Sequence, residues 1–128
     1  MAGRKYTTVQ YRGASPVAFV ETTLFTARLM RLGLEAPFQR LQLLLWRDPE
    51  AGALDPGTGG LRKVRMPDPG RGIGKRGGAR VHYLWLAQRR IIYFLWVYGK
   101  HEQDALKAEQ KAVLRALARR IRAEAGET

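Results

Sequence analysis

Lys63 and Arg65 stand two residues apart in the short alternating run Leu61–Met66, and a strand projects side chains at that spacing from one face. Arg80, Tyr98 and Lys100 fall in or just after two further runs, 80–86 and 91–98, rich in aromatic and β-branched residues. Cations and a phenol from three neighbouring strands could therefore surround a single phosphodiester. RNA supplies its own nucleophile, the 2′-hydroxyl beside the scissile phosphate. Cleavage then needs a base for that proton, an acid for the leaving 5′-oxygen, and cations for the charge that gathers on phosphorus. Crowded cations lower the pKa of a lysine or tyrosine, which helps either act near neutrality. The same residues equally suit a solvated basic face that holds RNA without cutting it. Composition leaves both open.

Other chemistries find less support. The chain has two histidines, His82 and His101, no cysteine, and one serine, Ser15. That set argues against a zinc site, a thiol nucleophile and a Ser-His-Asp hydrolase. The strands carry no carboxylate pair for two-metal nuclease chemistry, so no metal and no cofactor is expected. Gly72, Gly74 and Gly77 match a G-x-G-x-x-G spacing, but no confident strand precedes them and no helix follows. They read instead as a cationic loop, carrying Arg71, Lys75 and Arg76, whose glycines let backbone approach phosphates.

The 128 residues carry a net charge of +12, from 23 Lys and Arg against 11 Asp and Glu. Such a charge draws in polyanions at some cost to the compact state. Between Leu61 and Arg80 there are seven basic residues and one acid, Asp68, so the charge is concentrated rather than spread for solubility. Residues 1–13 are polar and basic without an apolar core of a secretory signal. The longest apolar run, Ile91–Tyr98, falls far short of a membrane span. A cytoplasmic location and no membrane contact are the expectations.

The elements that must position these residues follow from punctuation and periodicity. Residues 1–16 read as a flexible leader ending at Ser15-Pro16, followed by one domain over 17–125. Val17–Glu21 reads as a strand. Thr22 or Thr23 caps a helix with Leu24, Phe25, Leu29 and Leu32 on its stripe, and Gly33 stops it. Pro37 opens a second helix carrying Phe38, Leu41, Leu44 and Leu45, ended by Asp48-Pro49. Ala51–Gly60 is a Pro/Gly-rich loop. The strands over 61–66, 80–86 and 91–98 follow, the last two joined by a short link at 88–90. From Asp104 to about Ala125 the pattern is helical, with Leu106, Val113, Leu114, Leu117 and Ile121 on one face. Lys107, Lys111, Arg115 and Arg119 recur at i,i+4 steps, a spacing usual for a solvated stripe and suited also to docking on ribosomal RNA.

If Arg80 pairs with Tyr98, His82 faces Trp96. Val81, Tyr83 and Trp85 then share the helix-packed side with Tyr93, Leu95 and Val97. The other side gathers Arg80, His82, Phe94, Trp96, Tyr98 and Lys100 as a half-exposed RNA cleft. A register slip of one residue would exchange the two. Tyr98 and Trp96 are the aromatics placed to stack on an unpaired base.

Three segments together resemble the RelE/HigB toxin superfamily, and most nearly its HigB-type branch. They are Gly59-Gly60-Leu61-Arg62-Lys63-Val64-Arg65, Gly74-Lys75-Arg76-Gly77-Gly78-Ala79-Arg80-Val81-His82-Tyr83 and Val97-Tyr98-Gly99-Lys100-His101-Glu102-Gln103. Phe19-Val20-Glu21-Thr22 with Phe25-Thr26 fits the same branch, and the likeness covers roughly residues 17–122. It implies an α+β fold in the order β-α-α-β-β-β-α, a curved antiparallel sheet with two N-terminal helices and one C-terminal helix. It implies ribosome-dependent endonucleolytic cleavage of mRNA without metal, by a type II toxin neutralised by an antitoxin, typically of the Xre helix-turn-helix kind. DNA would be touched only through that antitoxin.

By the resemblance, Lys63 and Arg65 bind phosphate and base. Arg80 stabilises the transition state, and Lys100 and Tyr98 serve proton transfer and substrate positioning. Arg62, Arg71, Lys75, Arg76, His82, Trp96 and His101 are the accompanying RNA-binding candidates. Family members often have Ala at Gly99 and Asn at His101, and a Thr-Pro helix start where Lys107-Ala108 stand. These departures make His101 a possible contributor. A ParE-like gyrase poison, which shares the fold, and a non-catalytic RNA- or antitoxin-binding module are the alternatives.

Overall fold

The computed structural model describes residues 4–9, 16–72, 74 and 78–126. The chain is α+β. Its strands are β1 (Arg4–Val9), β2 (Val17–Thr22), β3 (Ala53–Leu54), β4 (Arg62–Met66), β5 (Ala79–Leu86) and β6 (Ile91–Gly99). Its helices are α1 (Thr23–Leu32), α2 (Glu35–Arg47) and α3 (Ala108–Glu124). One sheet runs in the order β1-β2-β6-β5-β4-β3.

Three features depart from expectation. Arg4–Val9, read as leader, pairs antiparallel with β2 along its whole length. Ala53–Leu54, inside the expected loop, adds a two-residue strand against Arg62 and Lys63. The sheet is mixed rather than antiparallel, because β2 and β6 run parallel. Ala53–Leu54 is only two residues long and exposed, too short for periodicity to detect.

α1 begins where Thr22 ends β2. The Thr22 hydroxyl accepts from the Phe25 amide at 3.2 Å and donates to the Phe94 carbonyl at 3.0 Å, so one residue caps the helix and ties it to β6. Gly33 stops α1 in the left-handed region at φ 69°, as its type suggests. α1 and α2 cover one face of the sheet. Phe25, Phe38 and Phe94 meet there with centroids 4.7–5.3 Å apart, joined by Phe19, Val81, Tyr83 and Met66. The Tyr83 hydroxyl donates to the Pro49 carbonyl and accepts from the Gly52 amide, at 2.7 and 2.9 Å. α3 covers the opposite face with Leu114, Ala118 and Ile121 on Leu84, Leu86, Leu95 and Tyr98. Val113, expected on that stripe, is 62% exposed.

The β5–β6 register carries the main correction to the expected faces. Arg80 pairs with Tyr98 and His82 with Trp96, but Tyr83 pairs with Phe94, leaving Leu95 as an extra residue. Such a bulge shifts the alternation of the strand by one. Phe94 therefore joins the α1–α2 core, while Tyr93 and Leu95 join the α3 core. The proposed half-exposed cleft is closed at its centre: His82 and Tyr98 are fully buried.

Candidate nucleic-acid site

Leu61, just before β4, belongs to the α3 core, while Val64 and Met66 on β4 pack with the α1–α2 core. Lys63 and Arg65 therefore face α3. Lys63 pairs with His82 and Arg65 with Arg80, which pairs in turn with Tyr98. The result is two rungs across three strands, Arg65–Arg80–Tyr98 and Lys63–His82–Trp96. Four of the five candidate catalytic residues thus share one face. Lys100 follows immediately in the turn after β6, exposed, with its amide donating to the Gly78 carbonyl at 2.8 Å.

Exposure divides the rungs. Arg65 is exposed and Lys63 half-buried, whereas Arg80 is buried beside Tyr98. The Arg80 guanidinium donates to the Ala79 carbonyl at 3.1 Å. Burial first, then the nearby Arg65 charge, lowers the pKa of Arg80; Tyr98 acts in the opposite direction. Burial raises the Tyr98 phenol above its usual value, and the Arg80 charge opposes that rise. At neutral pH the phenol is a hydrogen-bond donor rather than a phenolate.

The other RNA-binding candidates scatter. Arg62 faces the α1–α2 side, donating to the Gly52 carbonyl at 2.8 Å and lying 3.7 Å from the Glu50 carboxylate. It braces the 50–52 segment and takes no part in the cationic rungs. Trp96 is half-buried, with the Arg28 guanidinium 4.4 Å from its ring centroid. Arg28 is itself held by Glu102 at 2.8 Å and the Val97 carbonyl at 2.7 Å. His101 is exposed, and its imidazole lies against Gly99 where a Cβ would overlap it. Glycine at 99 makes room for the ring at 101. Lys75, Arg76 and the side chain of Arg71 lie outside the described residues.

Sequence reasoning missed Asp55. Its Oδ2 lies 2.8 Å from His82 Nε2 and its Oδ1 3.7 Å from Lys111 Nζ. Burial is the largest influence on His82 and lowers its pKa; the hydrogen bond and charge of Asp55 oppose this, while Lys63 and Lys111 add to it. The basic stripe of α3 was only partly legible. Lys111 donates to the Pro56 carbonyl at 3.0 Å, Arg115 to Gly57 and Arg122 to Gly59, both at 2.6 Å. These cations strap the Asp55–Gly60 loop to the helix rather than forming a purely solvated face. The positions 111, 115 and 122 share one helix face, a signal the sequence held; the loop carbonyls they meet left none.

No protein-family model matches the chain. Among the described residues, no group of three or more His, Cys, Asp or Glu side chains could hold a metal ion. No helix among them is long and apolar enough to cross a membrane.

Proposed function

We propose that this chain is an endoribonuclease of the RelE/HigB kind, cutting mRNA on the ribosome through the RNA's own 2′-hydroxyl. The observation that carries the reading is the cross-strand rung Arg65–Arg80–Tyr98, flanked by Lys63 and followed by Lys100. Arg65, Lys63 and Lys100 form the accessible edge that receives phosphate. Arg80, held rigidly by burial, stabilises the pentavalent phosphate without reorganising, which is the economical use of a fixed charge. Tyr98 and Lys100 are the groups for proton transfer and for positioning the leaving group. In this reading the protein is a toxin of a type II system, and an antitoxin partner covers it when growth continues.

The burial of Arg80, His82 and Tyr98 favours one rival, a module that binds RNA or antitoxin through its exposed cations and cuts nothing. A translating extract with mapped transcript ends decides between them. Codon-phased cuts that disappear in Arg65→Ala and Arg80→Ala support the nuclease, provided both variants melt near wild type. Translation that continues on intact transcripts refutes it. DNA breaks in expressing cells would point instead to a gyrase poison.

A further inference from the structure

Three polar atoms are buried without a hydrogen-bond partner among the described residues: His82 Nδ1, Tyr98 Oη and Trp96 Nε1. Two of them belong to rings stacked at 6.0 Å, those of His82 and Tyr98, on the face that carries Lys63, Arg65 and Arg80. Buried polar groups are ordinarily satisfied, so two orphans side by side on neighbouring cationic rungs mark a place for a polar group of a ligand. The other imidazole nitrogen is firmly engaged. Asp55 Oδ2 accepts from Nε2–H at 2.8 Å, which leaves the lone pair of a neutral ring on Nδ1.

Asp55 is itself fixed. Its amide donates to the Leu61 carbonyl at 2.9 Å and its carbonyl accepts from the Thr58 hydroxyl at 2.6 Å. The charged and titratable groups around the imidazole are Asp55 from the loop after β3, Lys63 from β4, Tyr98 from β6 and Lys111 from α3. Burial and the two lysines keep the ring neutral, the form that can take a proton.

We infer that His82 is the proton acceptor for the 2′-hydroxyl, and that Asp55 is its positioning residue. The assignment rests on the nuclease reading and divides its proton transfers, giving the base to His82 and leaving the acid to Lys100 or Tyr98. The 2′-hydroxyl proton passes to Nδ1 as the bond from the 2′-oxygen to phosphorus forms. The bond from phosphorus to the 5′-oxygen breaks, and that oxygen leaves as a hydroxyl with a proton from Lys100 or Tyr98. The products are a 2′,3′-cyclic phosphate and a 5′-hydroxyl end; His82 returns its proton to water and the spent acid takes one up from water. His82 is fully buried in this structure, so substrate reaches Nδ1 only after a local opening of the groups packed over the ring. The 3.7 Å contact between Lys111 and Asp55 is partly buried, whereas the Lys111 bond to the Pro56 carbonyl is exposed.

Two measurements test the assignment. Nitrogen NMR of the imidazole in the intact protein is expected to show Nε2 protonated and Nδ1 bare at neutral pH, with Asp55→Asn redistributing the tautomers. A ring protonated on Nδ1 overturns the arrangement irrespective of activity. On programmed ribosomes, His82→Gln is expected to lose about 100-fold or more in kcat, the range for a general base, with KM little changed. In Asp55→Asn the acid limb of the rate profile moves to lower pH and its plateau falls, because the groups that raise the imidazole pKa are gone; a loop brace alone would not move that limb. Folded His82→Gln that cuts at the wild-type rate overturns the assignment and leaves the nuclease standing. Wild-type protein that cuts nothing overturns both.

Discussion

His82 is the residue where structure and chemistry meet most directly. Its pKa is lowered in the folded chain, chiefly by burial, whereas the unfolded chain returns it to the ordinary value near 6.5. Protonation therefore favours the unfolded state. The stability tied to the neutral ring is fully present above about pH 6.5 and is lost as pH falls through the lower, folded value. Urea midpoints measured from pH 8 to pH 5 are expected to hold steady and then decline, with a shallower decline in His82→Gln. An equally steep decline in that variant would assign the loss to other groups. Tyr83, in the opposite core, bridges Pro49 and Gly52 and serves packing; its two hydrogen bonds hold the approach to the Asp55 loop. A Cβ at Gly52 would lie 2.9 Å from the Lys63 carbonyl, so the backbone passes close to the strand that carries the cations.

Among the elements, the junction of β2 and α1 does most to set the geometry of the sheet. Thr22 serves two partners at once, the Phe25 amide and the Phe94 carbonyl. Thr22→Val retains the β-branched shape and removes both bonds, leaving the Phe25 amide without its cap and α1 without its tie to β6. It is expected to cost about 1–3 kcal/mol in chemical denaturation; a loss below about 0.5 kcal/mol would show that water replaces the hydroxyl. The bulge in β6 acts at the same scale. It lets one strand send Phe94 into the α1–α2 core and both Leu95 and Trp96 toward α3.

Taken whole, the molecule is a sheet covered on both faces, with Arg65 and Lys100 exposed at the end where β4, β5 and β6 meet the turn after Gly99. Its net charge of +12 makes association with RNA strongly dependent on salt. Binding to a single-stranded oligonucleotide is expected to weaken linearly on a logarithmic salt axis. Arg65→Ala and Lys63→Ala should each reduce the slope by about 1, the signature of one lost phosphate contact. Arg62→Ala, whose side chain braces Gly52 on the opposite face, should leave the slope unchanged. Equal slopes in all three variants would place RNA elsewhere on the surface.

By itself the sequence determined the helices, the three main strands and the shared face of Lys63 and Arg65. Each depends on a local signal: the Thr22 cap, the Gly33 stop, the period of two along 61–66. It offered the Arg80–Tyr98 pair only as a condition, because the register of the hairpin was open by one residue. Only the tertiary structure decided which side the residues beyond the bulge occupy, since one inserted residue reverses every later side chain. It alone brought Asp55, 27 residues away along the chain, to His82, and set Arg115 and Arg122 on the carbonyls of Gly57 and Gly59. Contacts of that kind arise from packing α3 over the sheet. No periodicity records them, because the loop has no pattern of its own until the helix lies across it.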